Sequence, residues 1–270
     1  MLSRVFVALL GFPRLKKKVW RALYDFLARS QRSEEWTFMN YGFAGADDSP
    51  LELNAADEPD RHCIQLYHHV AGSLNMEGKV VVEVGSGRGG GASFITRYLA
   101  PRRMLGVDLS RNAVELSRRR HRIDGLEFQV GDAENLPLDA DSVDAVINVE
   151  SSHCYPSFEK FVAEVQRVLK PGGHFLYADF RDRENSEVWR QSLRSSGLTL
   201  LRETDITSNV VAALDRDNER KRAFIERIVP KPLQPSFNDF AGMKGTVIYD
   251  GFRSGQMIYK SFVLRKLPHN

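Results

Sequence analysis

The chain predicts an α/β fold, a mostly parallel sheet with helices on both faces, and three observations carry that prediction. Residues 80–90 read Val-Val-Val-Glu-Val-Gly-Ser-Gly-Arg-Gly-Gly, an apolar β-branched strand that breaks directly into glycines. Strand-like and helix-like stretches then alternate to about residue 200, the pattern of successive βαβ units. Acids stand at or near the carboxyl ends of these strands, at Glu83, Asp108 and Asp179. Open parallel sheets hold their ligands at that edge.

Each element has its own signal. Over 14–29, Leu15, Val19, Leu23, Phe26 and Leu27 recur at helical spacing with bases opposite, which makes an amphipathic helix. Residues 34–56, with Gly42, Gly45, Asp47, Asp48 and Pro50, lack periodicity and read as a loop over the mouth of the site. Together 1–56 form a helical lid and loop, and 57–270 the main domain. Residues 57–75 form a helix leading into the strand at 80–84. Further strands follow at Met104–Leu109, Leu126–Val130 and Asp144–Val149. Phe158, Phe161, Val162, Val165, Val168 and Leu169 mark a helix closed by Lys170-Pro171-Gly172-Gly173, and the strand His174–Ala178 opens at once. A charged helix, Asp215–Ile228, and a Pro-containing stretch interrupt the alternation. They make an insertion over about 207–243, read as part of a substrate cap. The alternating run Met257–Arg265 is the last strand.

At 270 residues the chain suits one such domain with an added cap. Its net charge of +3 hides an asymmetry: residues 1–33 carry +7 and the remainder −4. A mildly acidic body argues against a general nucleic-acid binder. The basic N-terminal segment instead offers peripheral contact with an anionic membrane, Trp20 lying at headgroup level. The eight-residue apolar run Val5–Phe12 is far short of the ~20 residues needed to span a bilayer. Basic residues follow it where a cleavage site would stand. Two cysteines, Cys63 and Cys154, are too few for a disulfide scaffold, so a cytoplasmic setting is expected. No metal site is expected, since the adjacent His68 and His69 cannot share one helix face. The sequence does not fix the oligomeric state.

The glycine window fits two templates. Gly85, Gly87 and Gly90 match the dinucleotide spacing G-x-G-x-x-G, while Glu83, Gly85, Gly87 and Gly89 match the acid-x-G-x-G-x-G loop of S-adenosylmethionine-dependent methyltransferases. Only glycine lets a backbone approach a ligand so closely, and the helix that follows presents unpaired N–H groups. Asp108, 19 residues beyond Gly89, is placed to accept from a ribose diol under either template. The later motifs separate them: Gly131-Asp132-Ala133-Glu134-Asn135-Leu136-Pro137, the acid-led fourth strand, and the Pro-Gly-Gly turn. Over 80–265 their order resembles the class I, Rossmann-like methyltransferase fold. That resemblance implies seven strands, mostly parallel, with an antiparallel last strand.

A closer resemblance lies in Gly89-Gly90-Gly91-Ala92-Ser93, in Asn148-Val149-Glu150-Ser151-Ser152-His153-Cys154-Tyr155-Pro156, in Tyr177-Ala178-Asp179-Phe180-Arg181, and upstream in Asp57–Arg61 and Leu66-Tyr67-His68. These are similar to the mycobacterial phthiotriol/phenolphthiotriol dimycocerosate methyltransferases and related lipid and polyketide O-methyltransferases. The resemblance implies S-adenosyl-L-methionine as cofactor and a hydroxyl on a hydrophobic, lipid-like or polyketide acceptor. Glu83 is expected beneath the loop, orienting the methionine ammonium directly or through water. Asp108 holds the ribose diol, Asp132 and Ala133 flank the adenine, and Asn148 ends the fourth strand at the cofactor. Tyr67, Ser86, Leu109 and Glu134 complete the binding set. His153, near its ordinary pKa of about 6.5, is the candidate general base. Asp179 orients that imidazole, binds the hydroxyl, or caps a helix. C-methylation of a sterol-like or prenyl substrate, a non-catalytic cofactor-binding module and a nicotinamide oxidoreductase remain the alternative readings.

Overall fold

A computed structural model describes residues 36–45 and 51–268. The amphipathic helix expected over 14–29, and with it the lid and membrane contact expected of residues 1–33, lie outside the described residues.

The segment 36–45 has no regular structure. Helix α1 (Arg61–Ala71) follows a short 3-10 turn at Glu58–Asp60 and precedes strand β1 (Val80–Val84). The main wind then runs α2 (Gly90–Leu99), β2 (Arg103–Asp108), α3 (Arg111–Arg120), β3 (Leu126–Val130), β4 (Val143–Val149), α4 (Phe158–Val168) and β5 (Leu169–Asp182). It closes with α5 (Ser186–Arg194), β6 (Thr199–Asp205), α6 (Thr207–Ile228), α7 (Gln234–Phe240), α8 (Val247–Ser254) and β7 (Met257–Arg265). The seven strands form one sheet in the order β3-β2-β1-β4-β5-β7-β6. Neighbours from β3 to β5 run parallel, and β7 lies antiparallel to both β5 and β6. The expected class I methyltransferase fold is therefore present. Its strand order reverses between β1 and β4, and a crevice opens outside such a switch point.

The period-two alternation of strand side chains divides the interior into two layers. Val81, Ala145, Ile147, Leu176 and Ala178 pack on one face with α1 and α2 through Ile64, Leu66, Phe94 and Ile95. Val82, Val146, Phe175 and Tyr177 pack on the other with α4 and α5 through Phe161, Val165 and Trp189. Both faces are covered, which explains why the strands read as unbroken apolar runs rather than alternating ones.

Three elements differ from their sequence signals. The helix expected over 57–75 is α1 alone, and Gly72 receives its C-terminal turn. The charged helix expected from Asp215 begins at Thr207, because Val210, Ala213 and Leu214 bury the stripe that continues it towards β6. The Pro171-Gly172-Gly173 turn lies inside β5 rather than before it. Gly172 N–H donates to Lys266 O (2.7 Å) and Lys266 N–H to Gly173 O (2.9 Å), so the turn is stitched to the end of β7.

Candidate functional site

The glycine loop leaves β1 and folds back on β2. The N–H groups of Gly85 and Ser86 both donate to Val107 O, at 2.8 and 3.1 Å. Gly85 has φ +76° and Gly87 φ +52°, a region that side chains seldom enter. A Cβ on Gly85 would lie 1.9 Å from Ser151 Oγ, and one on Gly91 would lie 2.1 Å from the Tyr67 ring. The loop is therefore compressed between the two helical layers and a cleft. Gly85→Ala is expected to destabilise the domain by about 1–3 kcal/mol, the cost of overpacking a fixed backbone. Denaturant unfolding of the variant measures this.

The cleft is bordered by Thr37–Tyr41, Tyr67, the loop from Gly85 to Arg88, Asp108–Ser110, Asp132–Glu134, and Glu150–Tyr155 without Ser152. Asp108 ends β2. Its Oδ2 accepts from Gly87 N–H (2.8 Å) and its Oδ1 from Ser110 N–H (2.8 Å), and Ser110 caps α3. Two backbone donors thus fix the carboxylate at the cleft wall. Asp132 Oδ1 accepts from Glu134 N–H (3.1 Å), forming a tight turn on the cleft wall. Glu134 is directed away, its Oε1 accepting from Ser157 N–H (2.8 Å) at the start of α4.

The structure brings Tyr67, Gly85, Ser86, Gly87, Asp108, Leu109, Asp132, Ala133, Glu134 and His153 to one cleft. It sets Glu83, Gly89, Asn148 and Asp179 behind the wall. Glu83 is fully buried and accepts from Tyr67 Oη (2.6 Å) through Oε1, whereas its Oε2 is buried with no hydrogen-bond partner. Burial pushes its carboxyl up to about 8. An unpartnered buried carboxylate oxygen is costly by itself and suits a cationic ligand. The glycine cradle and this oxygen fit the methionine end of S-adenosylmethionine. Asn148 Nδ2 donates to Val84 O (2.8 Å) and to Tyr155 Oη (3.1 Å), clamping the ends of β1 and β4 together.

On the opposite wall, the His153 backbone N–H donates to Asp179 Oδ2 (3.0 Å), and its ring Nδ1 lies 2.8 Å from Asp179 Oδ1. Asp179 lies within β5 and caps no helix. Of the arrangements expected for it, the contact present is the one with the imidazole. It is fully buried and also accepts from Ser152 Oγ (2.6 Å), with the Arg181 guanidinium at 3.3 Å. These donors hold its carboxyl far below the usual range despite burial. The His153 ring departs from expectation. Burial works against its charge, but the neighbouring Cys154 and the Asp179 carboxylate outweigh that and raise it to about 10. The shift favours the protonated ring over the near-neutral base that its reference value suggests.

Sequence reasoning gave no role to Met39, Tyr41, Glu150 or Tyr155, all of which border the cleft. Tyr41 N–H donates to Glu150 Oε1 (2.8 Å) across 109 positions, a contact that no periodicity signals. Beside the cleft lies a smaller cavity that shares Phe38, Met39, Asn40 and Phe240 with it. Trp36, Phe224, Ile228 and Phe237 share its remaining wall with the charged Asp60, Arg220 and Lys221, and the Trp36 ring centroid lies 6.3 Å from those of Phe224, Phe237 and Phe240.

A family model described as a methyltransferase domain matches residues 82–177. The chain is 39% identical to the phthiotriol/phenolphthiotriol dimycocerosates methyltransferase of Mycobacterium tuberculosis over 256 residues, covering 95% of each protein. It is 35% identical to the fatty-acid O-methyltransferase of Mycolicibacterium smegmatis, covering 94% of this chain and 92% of that one. Among solved structures, the cyclase SpnF superposes with a TM-score of 0.69 at 20% identity, over 92% of this chain and 95% of that one. Likeness at that identity concerns the fold and not the reaction.

Proposed function

The chain belongs to the class I S-adenosylmethionine-dependent methyltransferases, and we propose that it transfers the methyl group to an oxygen of a hydrophobic, lipid-like acceptor. The observation that carries this reading is His153, which borders the same cleft as the glycine loop and Asp108 with the buried Asp179 carboxylate behind its ring. Methyl transfer from a sulfonium is an in-line displacement. It asks the protein to align the acceptor oxygen and to accept its proton, with little covalent help.

In this reading Asp108 accepts from the ribose hydroxyls, Asp132 and Ala133 flank the adenine, and Tyr67 with Glu83 orients the methionine end. His153 holds the acceptor oxygen, and Asp179 fixes the ring. Glu134 and Asn148 act indirectly, by bracing α4 and the strand ends. The aromatic cavity shared with the cleft supports an apolar acceptor, as do relatives whose names specify dimycocerosates and fatty acids. The segment 207–243, proposed as a substrate cap, supplies Phe224, Ile228, Phe237 and Phe240 to that cavity. A carboxylic acid is the second acceptor worth testing, because a charged His153 ring suits a carboxylate.

The test is methyl transfer from labelled S-adenosylmethionine to long-chain alcohols and long-chain acids, with the product's bonding read by nuclear magnetic resonance. A methyl ether or ester is expected. Label on carbon, or none in the lipid fraction, would overturn the assignment.

A further inference from the structure

Glu150 follows β4 directly and has a left-handed backbone, φ +48°. Two other non-glycine residues among those described share a positive φ, Ala100 and Asp141, and both are solvent-exposed. Glu150 borders the cleft. A side chain in that conformation is strained and persists only where its surroundings fix it, which is common at functional sites. Here its N–H donates to Ala178 O (2.9 Å), and its Oε1 accepts from Tyr41 N–H (2.8 Å). The kink aims the carboxylate out of the sheet and under the segment that covers the cleft.

On the reading of the protein as an O-methyltransferase, we propose that Glu150 is the group that accepts the proton of an acceptor hydroxyl, while His153, its ring fixed by Asp179, holds the oxygen. The acceptor O–H bond breaks and its proton goes to the Glu150 carboxylate, giving the carboxylic acid. The electron pair left on oxygen forms the new O–C bond as the methyl leaves sulfur, whose positive charge is thereby cancelled.

The charged and titratable groups facing Glu150 include Tyr41 from the covering segment, Tyr67 from α1, Tyr259 from β7, Asp179 from β5 and His153 beside it. Burial and the Asp179 charge raise its carboxyl to about 8, against the hydrogen bond from Tyr41 and the His153 charge. A Glu150 carboxyl near 8 is partly ionised close to neutral pH, whereas the raised His153 ring favours its protonated form. A base is most effective when its pKa lies near the working pH, which favours the carboxylate.

Glu150→Gln preserves size and keeps an oxygen for the Tyr41 N–H. With a long-chain alcohol as acceptor, kcat is expected to fall about 10²–10⁴-fold with S-adenosylhomocysteine affinity unchanged. The wild-type rise in rate through about pH 8 should disappear, and Glu150→Asp should retain it. Wild-type kcat and pH profile in Glu150→Gln would overturn the proposal. So would a lower kcat that keeps the limb near pH 8, which would make Glu150 only a strut for the Tyr41 segment. Failure of the wild-type enzyme to methylate any oxygen would instead overturn the O-methyltransferase reading, and this inference with it.

Discussion

His153→Ala is expected to lower turnover about 10²–10⁴-fold while S-adenosylhomocysteine binds as in the wild type. The ring borders the cleft where the acceptor oxygen is placed, and the fully buried Asp179 carboxylate fixes its orientation through Nδ1. Removing it frees the oxygen to move, and misplacement of a reacting atom by about 1 Å costs on the order of 10²-fold. The sign of the pH effect follows from the raised pKa. A group held at about 10 keeps its proton through neutrality and releases it only as pH climbs towards that value. If the neutral ring were the sole base, the rate would rise about tenfold per unit between pH 7 and 9. With Glu150 as acceptor, the rise instead flattens above about 8. Steady-state kinetics across pH 6–10 separates the two. Full activity in His153→Ala would remove the ring from the reaction.

Asp108→Ala is expected to weaken S-adenosylhomocysteine binding by about 1.5–3 kcal/mol, the range for hydrogen bonds to a charged acceptor. That is roughly 10–150-fold in Kd. Part of the loss would be indirect, because the carboxylate also fixes the loop through Gly87 N–H. Asp108→Asn can keep an acceptor for one backbone donor, so an intermediate loss is expected from it. Isothermal titration measures both. Unchanged affinity in Asp108→Ala would contradict the ribose contact.

The sheet and its glycine turn were legible because local chemistry sets them. A β-branched run into Gly85 and an acid at the end of β2 each follow from short-range constraints. Boundaries were less legible where packing overrides propensity, as in α6, whose first two turns are held by burial of Val210, Ala213 and Leu214. The acceptor side of the site was legible as residue types but not as a state. His153 and Asp179 stand in recognisable strings, yet only the fold shows that a buried carboxylate lies 2.8 Å from the ring, where with Cys154 it favours the protonated form. Glu150 stands in the same string as His153 but gave no sign of the role proposed for it, since that role rests on a backbone angle and on Tyr41, 109 residues earlier.

A crystal structure with S-adenosylhomocysteine bound tests the arrangement most directly. The account predicts the ribose hydroxyls within hydrogen-bond distance of the Asp108 carboxylate, the adenine between Leu109 and the Asp132–Ala133 turn, and the sulfur facing the wall that carries His153 and Glu150. A nucleoside bound with its diol away from Asp108, or with the sulfur turned from that wall, would contradict it.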